Sequence, residues 1–214
     1  MTIWALADLH LSFGVPDKKM DVFGEKWKDH PQKIKEHWCD LVAAQDLVLI
    51  PGDISWAMKL HEAEADLEWI AALPGTKVMI RGNHDYWWSA ISRVRGALPP
   101  GMHAIQNDSF QWKDFEIGGA RLWDAEFSYS EFIPLMENPR ADPVLYEVHH
   151  DEEERVKIFS RELARLEASL RSFKRAGSFK IAMTHYPPVD AAMNASPVSD
   201  LLEQYGVSVC AFGH

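Results

Sequence analysis

Polar side chains that suit metal binding follow the strand-like runs of this chain, and this coincidence restricts its fold more than any other feature. The run Thr76–Ile80 is apolar and β-branched and comes after the breaker Pro74-Gly75, so it predicts a short buried strand. The next residues are Arg81-Gly82-Asn83-His84-Asp85, in which the glycine permits a sharp turn. In open α/β sheets, ligands bind beyond the carboxyl ends of the strands. The sequence therefore predicts a functional site at such an edge.

Other strand-like runs end in the same way, in a carboxylate or an imidazole. Together the strand ends offer carboxylate, imidazole and amide donors, a set that suits manganese, iron or zinc better than a thiolate site would. We therefore predict one metal site, built from these residues: Asp8 and His10 after residues 4–7, Asp53 after 47–50, Asn83 after 76–80, His185 after 180–183 and His214 after 207–210.

So many ligands would crowd a single ion, but they suffice for two ions about 3.5–4 Å apart that share a carboxylate. Two such ions stabilise the attacking and leaving oxygens of an in-line displacement at phosphorus and lower the pKa of a shared water. The sequence thus predicts two divalent metal ions as cofactors. Manganese is the first expectation, with iron, zinc, nickel or magnesium as alternatives.

The motifs D-x-H, G-D, G-N-H-D, a lone H and G-H, in this order, resemble the calcineurin-like metallophosphoesterase superfamily, whose last block is G-H-x-H. The resemblance spans the chain from Asp8 to His214. The stretches Met20–Gly24 and Arg121–Trp123 are also similar to a small bacterial branch of predicted phosphohydrolases. The resemblance implies an α/β fold, an αββα sandwich of mixed β-sheets flanked by helices.

The resemblance also implies a role for each site residue. His84 would face the phosphoryl group and stabilise its charge or protonate the leaving oxygen, and Asp85 would hold the His84 ring as a second catalytic residue. A hydroxide bridging the ions would attack phosphorus. The ligands would divide between the ions as follows: Asp8 and His10 on the first, Asp53 as the bridge, and Asn83, His185 and His214 on the second.

The sequence stops at the first histidine of the family's final block. The resemblance implies a further ligand of the first ion two residues beyond His214, and further strands after it. We therefore expect a truncated chain, lacking C-terminal strands, in which the first ion is weakly held. The domain prediction is a single metallophosphoesterase domain over residues 1–214, with an insertion or lid at about 124–151.

Some polar and aromatic residues have two interpretations. Arg121 either binds a substrate phosphate as a bidentate donor or pairs with an acidic neighbour. His149-His150-Asp151 resembles a ligand cluster, but a solvated turn before an acidic helix is the favoured interpretation. Tryptophans in predicted loops, Trp27 and Trp56 among them, either pack at the core or stack on a substrate ring.

The predicted elements combine βαβ units with a later antiparallel part. Helices are expected from Asp29-Pro31 onward and at 61–73, 87–97, 152–173 and 197–205. Short antiparallel strands are expected at 103–106, 112–117 and 120–123, joined by tight turns at Asn107-Asp108 and Gly118-Gly119.

Composition limits the class of partner. The formal charge of −10 at pH 7 argues against a nucleic-acid or anionic membrane surface but permits a small phosphorylated substrate. No apolar run reaches membrane-spanning length, and the N-terminus lacks the pattern of a signal peptide. Cys39 and Cys210 are expected to be buried thiols in a reducing compartment, so we expect a cytoplasmic protein.

The sequence therefore predicts a dinuclear-metal-dependent hydrolase of phosphate esters, either a phosphomonoesterase or a phosphodiesterase. The alternative is a non-catalytic interaction module that keeps the metallophosphoesterase fold. The presence of His84 favours the enzyme, because superfamily members without catalysis usually lose this histidine.

Overall fold

Residues 1–123 and 152–214 are described by the computed structural model of the chain. The predicted insertion at about 124–151 lies outside the described residues, and so do His149, His150 and Asp151.

The N-terminal half forms a parallel sheet. Its strands lie in chain order, and Leu47 pairs with Ile3 on one side and with Thr76 on the other. Short apolar runs such as Leu47–Ile50 are buried completely, as expected for parallel strands covered on both faces. The elements are β1 Ile3–Ala5, α1 His30–Leu41, β2 Leu47–Ile50, α2 Leu60–Ala71, β3 Thr76–Met79, α3 Ile91–Ala97 and β4 Met102–Ala104, with 3-10 turns at Met20–Phe23 and Glu25–Trp27.

The C-terminal half forms a mixed sheet of the strands that follow β4. The first two strands make an antiparallel hairpin, and the remaining pairings are parallel. The elements are β5 Phe110–Trp112, β6 Phe115–Ala120, α4 Glu152–Arg171, β7 Phe179–Thr184, α5 Pro197–Gln204 and β8 Val209–Phe212.

Three apolar layers hold these elements together. One layer, with Leu49 and Val78 from the first sheet and Ile181 and Met183 from the second, lies between the two sheets. A second layer packs α1, α2 and α3 on the first sheet, and a third packs α4 and α5 on the second. The predicted αββα sandwich of mixed sheets flanked by helices is confirmed.

The predicted antiparallel part needs correction: the strand at 103–106 overlaps β4, but its expected antiparallel pairing is wrong. The strand predicted at 112–117 is interrupted by the hairpin turn, and the strand predicted at 120–123 does not extend beyond Ala120. β4 pairs in parallel with β3, and the hairpin turn falls at Lys113-Asp114 rather than at Gly118-Gly119. Both glycines lie inside β6. At Gly119 a larger residue would not fit, because its Cβ would stand 2.2 Å from the carbonyl oxygen of Met183 on β7. The glycine pair marks close backbone approach in a strand, which the sequence alone does not distinguish from a turn.

Two further expectations need correction. The helix predicted at 87–97 begins at Ile91, because the backbone N–H of Trp88 donates to the carbonyl of Asp85 in a turn that precedes it. Cys39 is exposed rather than buried, since it lies on the outer side of α1, whereas Cys210 is partly buried.

Among the described helices, none has the length and apolar character needed to cross a bilayer.

Candidate metal centre

The predicted ligands all lie just beyond the carboxyl ends of strands, where the two sheets meet. β1, β2 and β3 lead to Asp8, Asp53 and Asn83 on one sheet, while β7 and β8 lead to His185 and His214 on the other. Because the sheets pack face to face, residues far apart in the chain come into contact at this edge.

Two glycines allow the loops after β2 and β3 to touch. A Cβ on Gly82 would stand 2.1 Å from Asp53 Oδ1, and a Cβ on Gly52 would stand 2.7 Å from both the Gly82 Cα and His185 Nδ1. Gly52 also has a φ of +95°, which L side chains rarely adopt. The glycines of the G-D and G-N motifs are therefore required by the close approach of these loops.

The first group of donors is Asp8, His10 and Asp53. The Nε2 atom of His10 lies 3.8 Å from Asp8 Oδ1 and 3.8 Å from Asp53 Oδ2. One donor atom from each of the three residues lies within 4.8 Å of the others.

The second group contains Asp53, His185 and His214, with Asn83 beside it. His185 Nε2 lies 3.4 Å from Asp53 Oδ2 and 2.6 Å from Asn83 Oδ1. Donor atoms of Asp53, His185 and His214 again lie within 4.8 Å of one another. Asp53 therefore belongs to both groups, which is the position expected of a shared ligand.

His185 is oriented through its second ring nitrogen. Its Nδ1–H donates to the carbonyl of Pro51 at 2.9 Å, so Nε2 points at the oxygens of Asp53 and Asn83. Burial alone would lower the pKa of this imidazole, but the contact with Asp53 outweighs burial and raises it. A proton on Nε2 thus holds the place that a cation would take, and binding of a metal would release it.

Asp53, His10 and His214 have the protonation states that ligands need, whereas burial raises the pKa of Asp8. Burial raises the pKa of Asp53, but the hydrogen bond and charge of His185 and the nearby His10 reverse this and lower it to about 2. Burial lowers the pKa of His10 and of His214 to about 4, so both are neutral near pH 7. Oxygen and neutral imidazole donors that converge in two groups fit divalent ions of the manganese, iron and zinc type.

His84 lies above this centre among aromatic rings. Its ring centroid is 4.6 Å from Trp56 and 5.8 Å from His10, and the backbone N–H of His84 donates to Asp53 Oδ1 at 2.8 Å. Within the described part of the chain, His84 Nδ1 is buried without a hydrogen-bond partner. The described residues therefore leave the hydrogen-bonding capacity of this nitrogen unused.

The predicted contact between Asp85 and the His84 ring is wrong. Asp85 is fully buried and accepts hydrogen bonds from the backbone N–H groups of Ile54, Ser55 and Gly82 and from Trp87 Nε1. Burial and the neighbouring charge of Asp53 raise its pKa to about 6. These bonds tie the loop after β2 to the loop after β3, so Asp85 positions both loops, while the catalytic role predicted for it stays a prediction.

Arg121 pairs with an acidic neighbour, one of the two interpretations left open by the sequence. Its Nη2 donates to Glu162 Oε1 at 3.3 Å, and its guanidinium lies over the Trp123 ring at 4.7 Å. The other interpretation, binding of a substrate phosphate, stays a prediction.

Trp56, for which the sequence left open packing at the core or stacking on a substrate ring, packs against two histidines of the site. Its ring stacks on His10 at 4.9 Å with an interplanar angle of 20°, and it also contacts His84. The available signal was its position three residues after Asp53, in the loop that follows β2. Trp56 excludes water from one side of both imidazoles and fixes their planes.

Several ligands hold an uncommon backbone conformation. Left-handed φ values occur at Asp8 (58°), His10 (45°), Asp53 (52°) and His214 (70°). Such a conformation costs about 1–2 kcal/mol per non-glycine residue. Strain of this kind clusters at functional sites, where the surrounding structure enforces it.

Comparison with known proteins supports the same assignment. The sequence matches the family model described as calcineurin-like phosphoesterase over residues 1–214. It is 35% identical over 83 residues to the gene 66 protein of Mycobacterium phage D29 and 32% identical over 84 residues to that of phage L5. These matches cover 39% and 38% of this chain, and they span only 40% and 39% of the phage proteins' lengths.

Two solved structures are similar at 15% sequence identity. A protein of unknown function from Aquifex aeolicus, AQ665, superposes with a TM-score of 0.42, covering 99% of this chain and 89% of its own. A phosphopantetheinyl hydrolase from Mycobacterium tuberculosis superposes with a TM-score of 0.48, covering 100% and 82%.

Proposed function

The chain belongs to the calcineurin-like phosphoesterase family, and from this membership and the geometry of the site we propose that it hydrolyses phosphate esters with two divalent metal ions. The observation that carries the proposal is the position of Asp53, which joins the two donor groups described above. Asp8 and His10 complete one group, and Asn83, His185 and His214 complete the other.

Bound ions of this kind act as Lewis acids on a phosphoryl oxygen and lower the pKa of water. The chain supplies the remaining functions. Asp85 fixes the loops that carry Asp53 and Asn83, and Pro51 fixes the tautomer of His185. His84 contacts Asp53 through its backbone N–H, and its imidazole is the group that we propose to donate a hydrogen bond to the transferring phosphoryl group.

The proposed substrate is a small phosphate ester or diester. The formal charge of −10 disfavours long nucleic acids, since their binding needs clusters of Lys and Arg along an extended surface. Manganese is the proposed native metal, because the donors are oxygens and imidazoles without thiolate. The two cysteines are free thiols, which suits the reducing cytoplasm that we propose as the compartment.

Substitution of Asp53 and of His84 tests the proposal. Asp53→Asn should lower turnover of an aryl phosphate by about a thousandfold or more, because the ions supply several kcal/mol of transition-state stabilisation. His84→Asn should lower turnover by about a hundredfold or more while leaving metal content unchanged.

The control is Asp40→Asn, at an exposed position of α1, which should retain wild-type turnover. Metal content is measured by elemental analysis beside each rate. Wild-type rates in Asp53→Asn would refute the assignment. An inactive wild type that still binds two ions per chain would instead favour the interaction module. Parallel assays with an aryl phosphate, a bis-aryl phosphodiester and short DNA then define the ester class.

A further inference from the structure

A group of arginines lies beside the metal centre and takes no part in it. Arg81 lies two residues beyond the end of β3, Arg121 follows β6 directly, and Arg165 reaches the same small cavity from α4. The cavity is also lined by Gln106 and Asn107, whose amides add hydrogen-bonding capacity. We refer to Arg81, Arg121 and Arg165 as the arginine cluster.

Among the described residues, the arginine cluster carries more positive charge than its buried carboxylate neutralises. Glu162 is buried, and its Oε1 accepts ion pairs from Arg121 at 3.3 Å, from Arg165 at 2.7 Å and from Arg161 at 3.7 Å. Arg81 adds a further guanidinium at the cavity wall. A local positive excess in a chain with a formal charge of −10 is a feature that favours an anionic ligand.

The guanidinium groups also retain unused donors. Within the described part of the chain, the Nε atoms of Arg81 and Arg121 are buried without a hydrogen-bond partner. Burial lowers the pKa of Arg121, and the charge of nearby Arg81 lowers it further, although Glu162 opposes both effects. Leaving buried donors unpaired costs about 1–3 kcal/mol each, and an anion that accepts from them removes this cost.

The arginine cluster is continuous with the metal centre. Arg81 is the residue before Gly82, whose backbone touches Asp53. The carbonyl of Arg121 accepts hydrogen bonds from the backbone N–H groups of His185 at 3.1 Å and Tyr186 at 3.0 Å. A group bound at the arginine cluster and a phosphate bound at the ions would therefore share one face of the molecule.

We propose that the arginine cluster binds a second anionic group, a phosphate or a carboxylate, on the same substrate whose phosphate ester is hydrolysed at the metal centre. The cavity holds about 20 Å³, room for an oxygen-sized group. An anionic oxygen thus enters between the guanidiniums while the rest of its group stays at the mouth. The substrate class is then a phosphate ester that carries a second anionic group. This inference rests on the proposed function.

Kinetics on matched substrates test the proposal. Alkanediol bisphosphates of increasing chain length are compared with the corresponding alkyl monophosphates, so that the unknown spacing of the two sites is sampled. The wild type should prefer the best bisphosphate in kcat/KM by about tenfold or more, because a charge-assisted hydrogen bond contributes about 1.5–3 kcal/mol.

In Arg121→Gln and Arg165→Gln this ratio should fall toward one, through KM rather than kcat. Arg121→Lys should restore only part of it, because lysine lacks the planar fork of donors. The matched control is Arg171→Gln on the same helix, an exposed arginine paired with Glu167, and it should keep the wild-type ratio. A ratio near one at every chain length in the wild type would overturn the proposal.

A binding measurement separates this proposal from the proposed function. After treatment with EDTA, calorimetry with inorganic phosphate should show binding that Arg121→Gln weakens about tenfold and Arg171→Gln leaves unchanged. Such binding without hydrolysis of any ester would keep the anion site and reject the enzyme. Hydrolysis with neither arginine-dependent binding nor a bisphosphate preference would reject the anion site alone, and circular dichroism confirms that each variant is folded.

Discussion

At the scale of single residues, Asp85 shows how one buried carboxylate organises the centre without joining it. Its Oδ1 accepts from Ile54, Ser55 and Trp87, and its Oδ2 accepts from Gly82. An anion that accepts several N–H groups at once holds two loops in one geometry. The loops concerned carry Asp53 and Asn83, so the precision of the proposed metal centre depends on a residue that lies behind it.

Asp85→Asn is expected to destabilise the fold by about 1–3 kcal/mol, because the new amide NH₂ faces at least one buried N–H donor. Turnover and metal content should fall together, since the loops that carry Asp53 and Asn83 lose their shared anchor. Chemical denaturation measures the stability. The exposed Asp40→Asn serves again as the control, and equal unfolding midpoints for Asp85→Asn and the wild type would contradict the described role.

Residue chemistry was the most predictable part of the site. The ligand types and their places at strand ends follow from local sequence, because a buried strand and a polar residue after it are both local signals. The partner of a buried polar side chain is not local. Asp85 bonds residues about thirty positions away, and sequence spacing suggested the adjacent His84 ring instead.

At the scale of elements, β6 depends on glycine for its place between α4 and β7. A Cβ on Gly119 would meet the carbonyl oxygen of Met183 at 2.2 Å, and backbone atoms cannot move aside as a flexible side chain can. The strand leads directly to Arg121, so a shift of β6 would also displace the arginine cluster.

Gly119→Ala should therefore cost about 1–3 kcal/mol of stability, the usual range for overpacking. The control is Gly96→Ala in α3, where no atom stands within 4 Å of the added Cβ. This helical position should gain about 0.5–1 kcal/mol from the better propensity of alanine. Thermal melts should show a lower Tm for Gly119→Ala and a higher Tm for Gly96→Ala than for the wild type. An unchanged Tm in Gly119→Ala would show that β6 and β7 can separate.

Glu116 on β6 anchors the turn after α4. Its carboxylate accepts from the backbone N–H groups of Lys174 and Arg175 and from the Ser178 hydroxyl. Burial raises its pKa, but these hydrogen bonds outweigh burial, and the pKa of Glu116 is lowered overall. A carboxyl whose pKa is lower in the folded state stabilises the fold above its unfolded pKa, and this stability is lost as the pH falls through the folded value.

Glu116→Gln is thus expected to lose about 2 kcal/mol near neutral pH, since it removes charge-assisted hydrogen bonds. The difference from the wild type should shrink as the pH falls below about 4.5. Urea unfolding at a series of pH values measures it. A difference that stays constant into acid would mean that the hydrogen bonds do not depend on ionisation.

Element pairing was less predictable than element position. Helices α2, α4 and α5 fall within two residues of their predicted bounds, because their apolar period is local. The sequence near β4 does not determine which strand it pairs with. A short strand after Pro99-Pro100-Gly101 looks like the start of a hairpin, whereas parallel pairing with β3 depends on contacts across α3.

At the scale of the whole molecule, the candidate metal centre joins the two sheets. Asp8, Asp53 and Asn83 come from the first sheet, and His185 and His214 come from the second. Ions bound between these donors would add bonds across an interface that is otherwise apolar. Metal binding is therefore expected to contribute to the stability of the whole fold.

Chelation tests this coupling. An ion present at about a hundred times its dissociation constant adds about 2.7 kcal/mol, so EDTA should lower Tm by about 5–10 °C. Calorimetry with manganese added back should restore the original Tm. Asp53→Asn should respond far less to both treatments, and equal Tm values with and without EDTA in the wild type would argue against bound ions.

The convergence of the two halves was predicted from the polar residues at their strand ends, but the particular contacts between the halves were not. No local pattern predicts that His185 lies against Pro51 and Asn83, which are more than a hundred positions away. Sheet-on-sheet packing produces this contact, and its register depends on the entire apolar layer between the sheets.

The left-handed residues of the centre have a consequence for laboratory evolution. At Asp8, His10, Asp53 and His214 the backbone favours glycine, while the proposed chemistry requires a side chain. A selection for heat resistance alone would accept glycine at these positions and yield a protein that is more thermostable but inactive. Thermostable descendants of this chain therefore have to be selected under a simultaneous demand for turnover.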